Sequence, residues 1–192
     1  MNKLVKVEKL TNSKYINLFN AEFETPAGTK LYEIVTRRQQ PKIVTKSFDA
    51  DAIRVIPYYF DNGKLKVVLI KEFRYAINQI MWGVPAGLID KGETPDQALK
   101  RELEEEIGAS VVNFTQTEIT SYSSAGLGDE SLICYEAEVK MDKVQHLDKF
   151  EQINVVIADF DDLPKLLDTE NFGLQSRLQL RCFYYKFLSK VK

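Results

Sequence analysis

Residues 87–109, GLIDKGETPDQALKRELEEEIGA, decide both the fold and the chemistry of this chain. Gly87 is followed after five residues by Glu93, and seven more lead to Arg101-Glu102-Leu103, then Glu105-Glu106 and Gly108. At about 100° per residue, Glu102, Glu105 and Glu106 share an arc of about 100° on one side of a helix, while Glu104 points to the other. Like charges at these spacings cost about 0.2–0.5 kcal/mol per pair in an isolated helix. Three carboxylates on one face need a compensating cation, and a hard divalent ion with oxygen ligands suits them. A charge run is ordinarily a solvated helix face. That alternative gives no reason for the glycines and the arginine at their places.

The same stretch carries its own start and stop signals. Thr94-Pro95-Asp96-Gln97 reads as a capping box, with Thr94 as N-cap, Pro95 at the first helical position and Gln97 three residues after the cap. Leu99, Leu103 and Ile107 recur every four residues as a stripe to be buried beside the acidic one. Gly108 suits a left-handed C-terminal cap. The spacing therefore predicts a loop from Gly87 to Glu93 and a helix over about 95–107.

Outside this stretch, composition mainly excludes. The 192 residues suit one domain, or one domain with an added subdomain, with room for a proper core. A net charge of −2 gives no general attraction to nucleic acid or anionic membrane. No apolar run has membrane-spanning length, and the charged start MNKLVKVEKL has no signal-peptide core, so a cytoplasmic protein is expected. Cys134 and Cys182 lie in apolar segments and read as reduced core residues. The single histidine, His146, stands in a polar stretch and reads as a surface residue; no nucleophile-elbow sequence accompanies it. No G-x4-G-K-[ST] loop is present to cradle phosphate, which leaves that work to carboxylates, metal and arginines.

Elsewhere the chain reads mostly as strands. KLVKVEKL, YINLFNAEFET and TKLYEIVTRR, with a turn at Pro26-Ala27-Gly28, suggest a small N-terminal sheet. AIRVIPYYF and KLKVVLIKEFR flank Asp61-Asn62-Gly63, a strong hairpin signal. VVNFTQTEI and SLICYEAEV flank a glycine-bearing loop, SSAGLGDE, and INVVIADF reads as a further strand. LPKLLD and residues 173–190 read as helices, with Leu174, Leu178, Phe183 and Phe187 taken as one core stripe. Strands with helices between and after them point to an α/β/α sandwich with a mixed sheet, over about 49–192, plus a small β subdomain over 1–48.

The stretch 87–109 resembles the box of the Nudix hydrolase family, G-x5-E-x7-R-E-U-x-E-E-x-G-U with U a bulky apolar residue. Every fixed position matches, with Ala109 smaller than usual at the last. The string IKEFRYAINQIMWGVPAGLIDKGE, and the fifty or so residues ahead of the hairpin, resemble the ADP-ribose pyrophosphatase branch. The resemblance implies Mg²⁺ as cofactor (Mn²⁺ as a substitute) and a small-molecule nucleoside diphosphate derivative as substrate. It also implies a homodimer formed through the N-terminal β subdomain.

Carried onto this box, the resemblance makes Glu102 and Glu106 metal ligands, with Glu105 a further ligand and the Ala86 carbonyl another. Gly87 would let the backbone bend close to the metals, Glu93 and Arg101 would brace the loop against the helix, and Gly108 would end that helix. The water-activating base is Glu105 or Glu130; Asp129 is an equal candidate to Glu130 as a plain loop acid, and Gly126 and Gly128 would give their loop mobility. Arg74 is expected to face phosphate, and Arg37 or Arg38 to reach substrate, because a planar fork pairs well with phosphate oxygens. Trp82 could stack a purine or pack beside the loop. Two positions depart from the branch: Ala125 where a proline is common, and Gly83 where an acid is common. They bear on substrate preference and leave the ligands untouched. The expected reaction is cleavage of the diphosphate of ADP-ribose or a related nucleoside diphosphate sugar. Another nucleoside diphosphate derivative such as a dinucleotide, or a non-catalytic nucleotide sensor, are the rival readings.

Overall fold

The computed structural model describes residues 1–191, with side chains through Ser189. The chain forms two compact units, the first made of Met1–Ala52 and Thr120–Leu132, the second of Ile53–Ile119 and the chain from Ile133 onward. In the first unit, β1 (Lys3–Lys9), β2 (Asn17–Thr25) and β3 (Gly28–Thr36) form an antiparallel sheet in that order. Its β2–β3 hairpin turns at Gly28, whose φ of 112° favours glycine. A one-turn helix, α1 (Lys42–Thr45), follows Pro41 and has no hydrophobic repeat by which sequence could show it.

The larger sheet is a mixed, seven-stranded one. Its strands are β4 (Ala52–Asp61), β5 (Lys64–Arg74), β6 (Gln79–Gly83), β7 (Ala86–Leu88), β8 (Ser110–Tyr122), β9 (Ser131–Lys140) and β10 (Ile153–Asp159). The order is β10-β5-β4-β9-β8, with β6 paired to β5 and β7 to β4. Asn62 and Gly63 close the β4–β5 hairpin at φ of 48° and 79°, both positive as a type I′ turn requires. Along β5 the pleat sends Val67 and Leu69 into one core cluster with Ile56, Val84, Phe160 and Leu163, and turns the equally buried Val68 and Ile70 to the opposite face.

Three helices complete the second unit: α2 (Pro95–Ile107), α3 (Leu163–Thr169), which follows a 3-10 turn at Phe160–Asp162, and α4 (Leu174–Val191). In α4 the expected single stripe is wrong. Phe183 is buried and Phe187 packs on it, but Leu174 and Leu178 are exposed. Nine residues separate Leu174 from Phe183, which is two and a half helical turns and places them on opposite sides. The aromatic contacts of Phe183 and Phe187 with Tyr58 and Phe160 set the rotation of the helix, so Ser176 and Leu180 turn inward instead. The same rotation leaves Cys182 exposed, not in the core as expected, while Cys134 is half-buried; both are free thiols.

Candidate active site

The site is built on α2, and the sequence signals at its two ends operate as read. Thr94 Oγ1 accepts from the Gln97 N–H at 3.3 Å while Gln97 Oε1 accepts from the Thr94 N–H at 2.8 Å. Gly108 ends the helix at φ of 65°, and a Cβ there would stand 2.7 Å from the Lys143 carbonyl oxygen. The His146 N–H donates to the Glu105 carbonyl at 2.9 Å, while the residue itself is exposed. With Leu99, Leu103 and Ile107 buried, rotation about the helix axis carries Glu102 and Glu106 toward the protein interior. They are 9% and 5% exposed, whereas Glu104 is exposed and Glu105 intermediate.

Arg101 organises the acids around it. Its Nε and Nη2 donate to the two Glu93 oxygens at 2.9 Å each, and Nη2 also reaches the Leu88 carbonyl at 2.9 Å. Nη1 donates to Glu102 Oε1 at 2.7 Å and Glu105 Oε2 at 3.0 Å. Glu93 in turn accepts from the Asp90 N–H at 2.9 Å, so the loop from Leu88 to Glu93 is tied to the helix at several points. The guanidinium beside Glu93 holds that carboxyl below its usual range. Gly87 on β7 lies against Glu102: a methyl group there would overlap the Glu102 carboxylate. The glycine is required for this close approach.

Two buried carboxylates side by side are electrostatically expensive. Burial pushes Glu106 well above the usual carboxylate range, and the charges of Glu102, Glu72 and Glu151 push the same way; only the Ala86 N–H, at 3.3 Å, opposes them. Burial also raises Glu102, against the pull of Arg101. Glu72 on β5 is raised by burial and by Glu151, although Arg74 pairs with it at 2.6 Å. Among the described residues no three acid, histidine or cysteine side chains converge as a ready metal cage. Even so, Arg101 Nη1 engages one oxygen of Glu102 and one of Glu105, Oε1 and Oε2 respectively. The donor set is all carboxylate and short of cations, which fits a hard divalent ion. Glu72 and Glu151 were missed by sequence reasoning. Glu72 sits in the string KEFR and Glu151 precedes β10, neither with a local pattern to mark it.

The remaining candidates are placed differently. Trp82 is packed: its ring lies 5.7 Å from that of Phe172, Lys71 Nζ is 4.1 Å from its centroid, and its backbone bonds to Asn171 and Gly173. Trp82 is half-buried, with these neighbours beside its ring. Arg37, Arg38 and Glu130 belong to the first unit. There Arg37 Nε pairs with Glu130 Oε1 at 2.8 Å. Arg38 Nε pairs with Asp51 at 2.6 Å, and Asp51 also takes Lys42 Nζ, which is buried, at 2.7 Å. Gly128 lies in close contact with β3. Its neighbours are bonded to β3 through Val35 N–H to Leu127 O and Asp129 N–H to Val35 O, and a Cβ at Gly128 would overlap the Val35 carbonyl. Asp129 Oδ2 further accepts from the Lys42 N–H at 2.6 Å.

An acid-bearing helix beneath a glycine-started loop, on a mixed sheet, is the arrangement of a Nudix fold, and comparison with known proteins agrees. The family model described as the NUDIX domain matches residues 50–177. A Caenorhabditis elegans protein named as a nudix hydrolase is 31% identical over 186 residues, covering 92% of this chain and 82% of its own. The ADP-ribose pyrophosphatase of Bacillus subtilis (strain 168) is 28% identical over 170 residues, covering 87% and 83%. A crystal structure described as an ADP compounds hydrolase superposes with a TM-score of 0.77 at 18% identity, over 98% of this chain and 95% of that one, which is a likeness of fold. The chain belongs to the Nudix family.

Proposed function

We propose that this protein is a divalent-metal-dependent pyrophosphohydrolase that cleaves the diphosphate of ADP-ribose or a related nucleoside diphosphate sugar. The carrying observation is the buried acid pair Glu102 and Glu106, with Glu72 and Glu151 directing further negative charge at it, inside a complete box. Metal ions bound there, Mg²⁺ in the first place, would neutralise charge on the diphosphate oxygens and acidify a water. Glu102, Glu106, Glu105 and the Ala86 carbonyl are the groups assigned to hold them. Arg101 and Glu93 keep the loop and Gly87 in place. In the reaction a water oxygen bonds to one phosphorus, the bridging P–O bond breaks, and the water proton passes to a carboxylate. Glu105 and Glu130 are the acceptors the family resemblance assigns, and Glu151, which lines a cleft with Glu72 at the end of β5, joins them as a candidate. Arg74, held by Glu72 at the end of β5, is assigned to the phosphates, and Arg37 is a second candidate. Arg38 is the weaker one, since Asp51 engages it.

The test is turnover of ADP-ribose with Mg²⁺ beside a panel of nucleotide sugars and dinucleotides. AMP and ribose 5-phosphate as products are expected. A strong preference for another diphosphate would assign substrate choice to Ala125 and Gly83, and tight nucleotide binding without turnover would overturn the hydrolase reading. We place the protein in the cytoplasm; no described helix is long and apolar enough to cross a membrane.

A homodimer through the N-terminal sheet belongs to the same proposal. It is supported by an apolar groove of about 780 Å³ in the first unit, lined by Phe23, Tyr32, Ile34, Phe48, Tyr122 and Leu127 among others. Phe48 and Leu127 are 78% and 62% exposed, a patch that a second copy would cover. Light scattering at micromolar concentration is expected to give twice the 22.1 kDa chain mass. A monomer would remove the assignment.

A further inference from the structure

The end of β5 and the turn ahead of β10 enclose a cleft of about 490 Å³, lined by residues that include Glu72, Phe73, Tyr75, Phe150 and Glu151. Glu151 belongs to a tight turn: its N–H donates to the Asp148 carbonyl at 3.0 Å, and its Oε2 accepts from the Asp148 N–H at 3.0 Å. One carboxylate oxygen thus closes the turn. Gln145 Nε2 donates to the Glu106 carbonyl at 2.6 Å and to the Ile153 carbonyl at 3.2 Å, which ties the start of β10, two residues after Glu151, to the end of the box helix.

Two hydrogen bonds from β5 and its following turn bracket Glu151. On one side the Phe73 N–H donates to the Gln152 carbonyl at 3.1 Å, a backbone bond that any residue could make. On the other, Tyr75 Oη donates to the Phe150 carbonyl at 2.8 Å. Tyr75 is 64% exposed, a setting in which a phenol ordinarily hydrogen-bonds to water. Here its ring stands edge-on to Phe73 at 5.0 Å, which fixes the direction of the hydroxyl. Both bonds end on carbonyls adjacent to Glu151, so together they fix the backbone that carries the carboxylate.

We propose that Tyr75 is a positioning residue whose hydroxyl latches the Asp148–Gln152 turn to β5 and so holds Glu151 in the cleft it shares with Glu72, next to the box helix. The proposal rests on reading the box as the hydrolytic centre. The Tyr75 hydroxyl is bonded to the Phe150 carbonyl, and its effect passes through Glu151.

Tyr75→Phe removes one oxygen and leaves the ring contact in place. In the metal-free chain, amide exchange across residues 148–152 is expected to accelerate about tenfold or more while global stability holds, the signature of a local opening. With ADP-ribose and Mg²⁺, kcat is expected to fall about ten- to a hundredfold with KM within about twofold, as for a misplaced reacting group. In a Glu151→Gln background the same substitution should cost no further kcat, since the latch then has nothing to position. Unchanged exchange in Tyr75→Phe overturns the latch, and losses that add in the double variant overturn the route through Glu151. Should the wild-type chain turn over no nucleotide sugar, the hydrolase reading fails separately; exchange still decides the latch, with acceleration keeping it and no change removing it.

Discussion

Glu106→Gln is expected to abolish turnover and, at the same time, to stabilise the metal-free protein. The second effect follows from burial. Glu106 is 5% exposed, and burial, with the charges of Glu102 and Glu72, raises its folded carboxyl well above the usual range. In the window between the usual carboxylate value and that raised one, the folded chain holds more protons than the unfolded chain. Stability contributed by the carboxyl therefore falls as pH rises through this window, and the cost is fully present above it. Glutamine keeps an oxygen for the Ala86 N–H and discards the charge. The variant's Tm should exceed that of the wild type at pH 7–8, by about 2–4 °C for each kcal/mol relieved, and the difference should close near pH 4. Mg²⁺ should raise the wild-type Tm, with stabilisation of about 2.7 kcal/mol at a hundred times Kd, and leave the variant nearly unmoved. Activity should drop by about a thousandfold or more, the scale of losing several kcal/mol of charge stabilisation. A variant that hydrolyses at the wild-type rate would refute the metal assignment. One that melts lower than wild type at pH 8 without metal would refute the electrostatic account.

What was legible in the sequence is what is local. Thr94, Pro95 and Gln97 act within one turn of each other, Gly108 within one residue of the helix end, and Asn62-Gly63 within one hairpin, so neighbouring letters suffice to fix them. The box acids are legible for the same reason, being spaced on one helix. Glu151 is not: it reaches the cleft it shares with Glu72 only because β10 pairs with β5 in the register Ile153↔Glu72, a pairing made across some eighty residues of intervening chain. The contact at Gly128 is hidden for a related reason. A glycine in a polar loop suggests mobility, and only the approach of Val35 from β3 shows that it is there for contact. In α4 the apolar residues form two stripes, and the helix rotation is chosen by aromatic partners on β4 and after β10 that no window on α4 contains. The neighbours of Trp82, Phe172 and Lys71, come from outside its own segment or across a strand pair and are equally hidden from the local sequence.

Replacing Arg101 is expected to produce the largest loss of stability of any single change in the box. Its side chain is 28% exposed and the Glu93 and Glu102 carboxylates 14% and 11%, so the cluster is largely removed from water. Arg101→Ala would leave Glu93 and Glu102 without their cation and the Leu88 carbonyl without its donor, while Glu105 is open enough to hydrate. Removing one partner of a fully buried pair costs about 3–5 kcal/mol, and partial exposure here reduces the expectation to about 2–4 kcal/mol in urea unfolding at pH 7. The depressed Glu93 carboxyl gives the pH signature. Its contribution is present above the unfolded carboxylate value and is lost as pH falls through the lower folded value, so wild type and variant should converge in acid. Arg101→Lys keeps the charge but cannot span Glu93, Glu102, Glu105 and Leu88 with one planar fork, and should fall between the two. If lysine matched arginine in both stability and kcat, the role would be simple charge balance. If alanine cost nothing in stability, the bracing of the loop from Gly87 to Glu93 would have to come from the Asp90–Glu93 bond alone, and the fork would be an incidental contact.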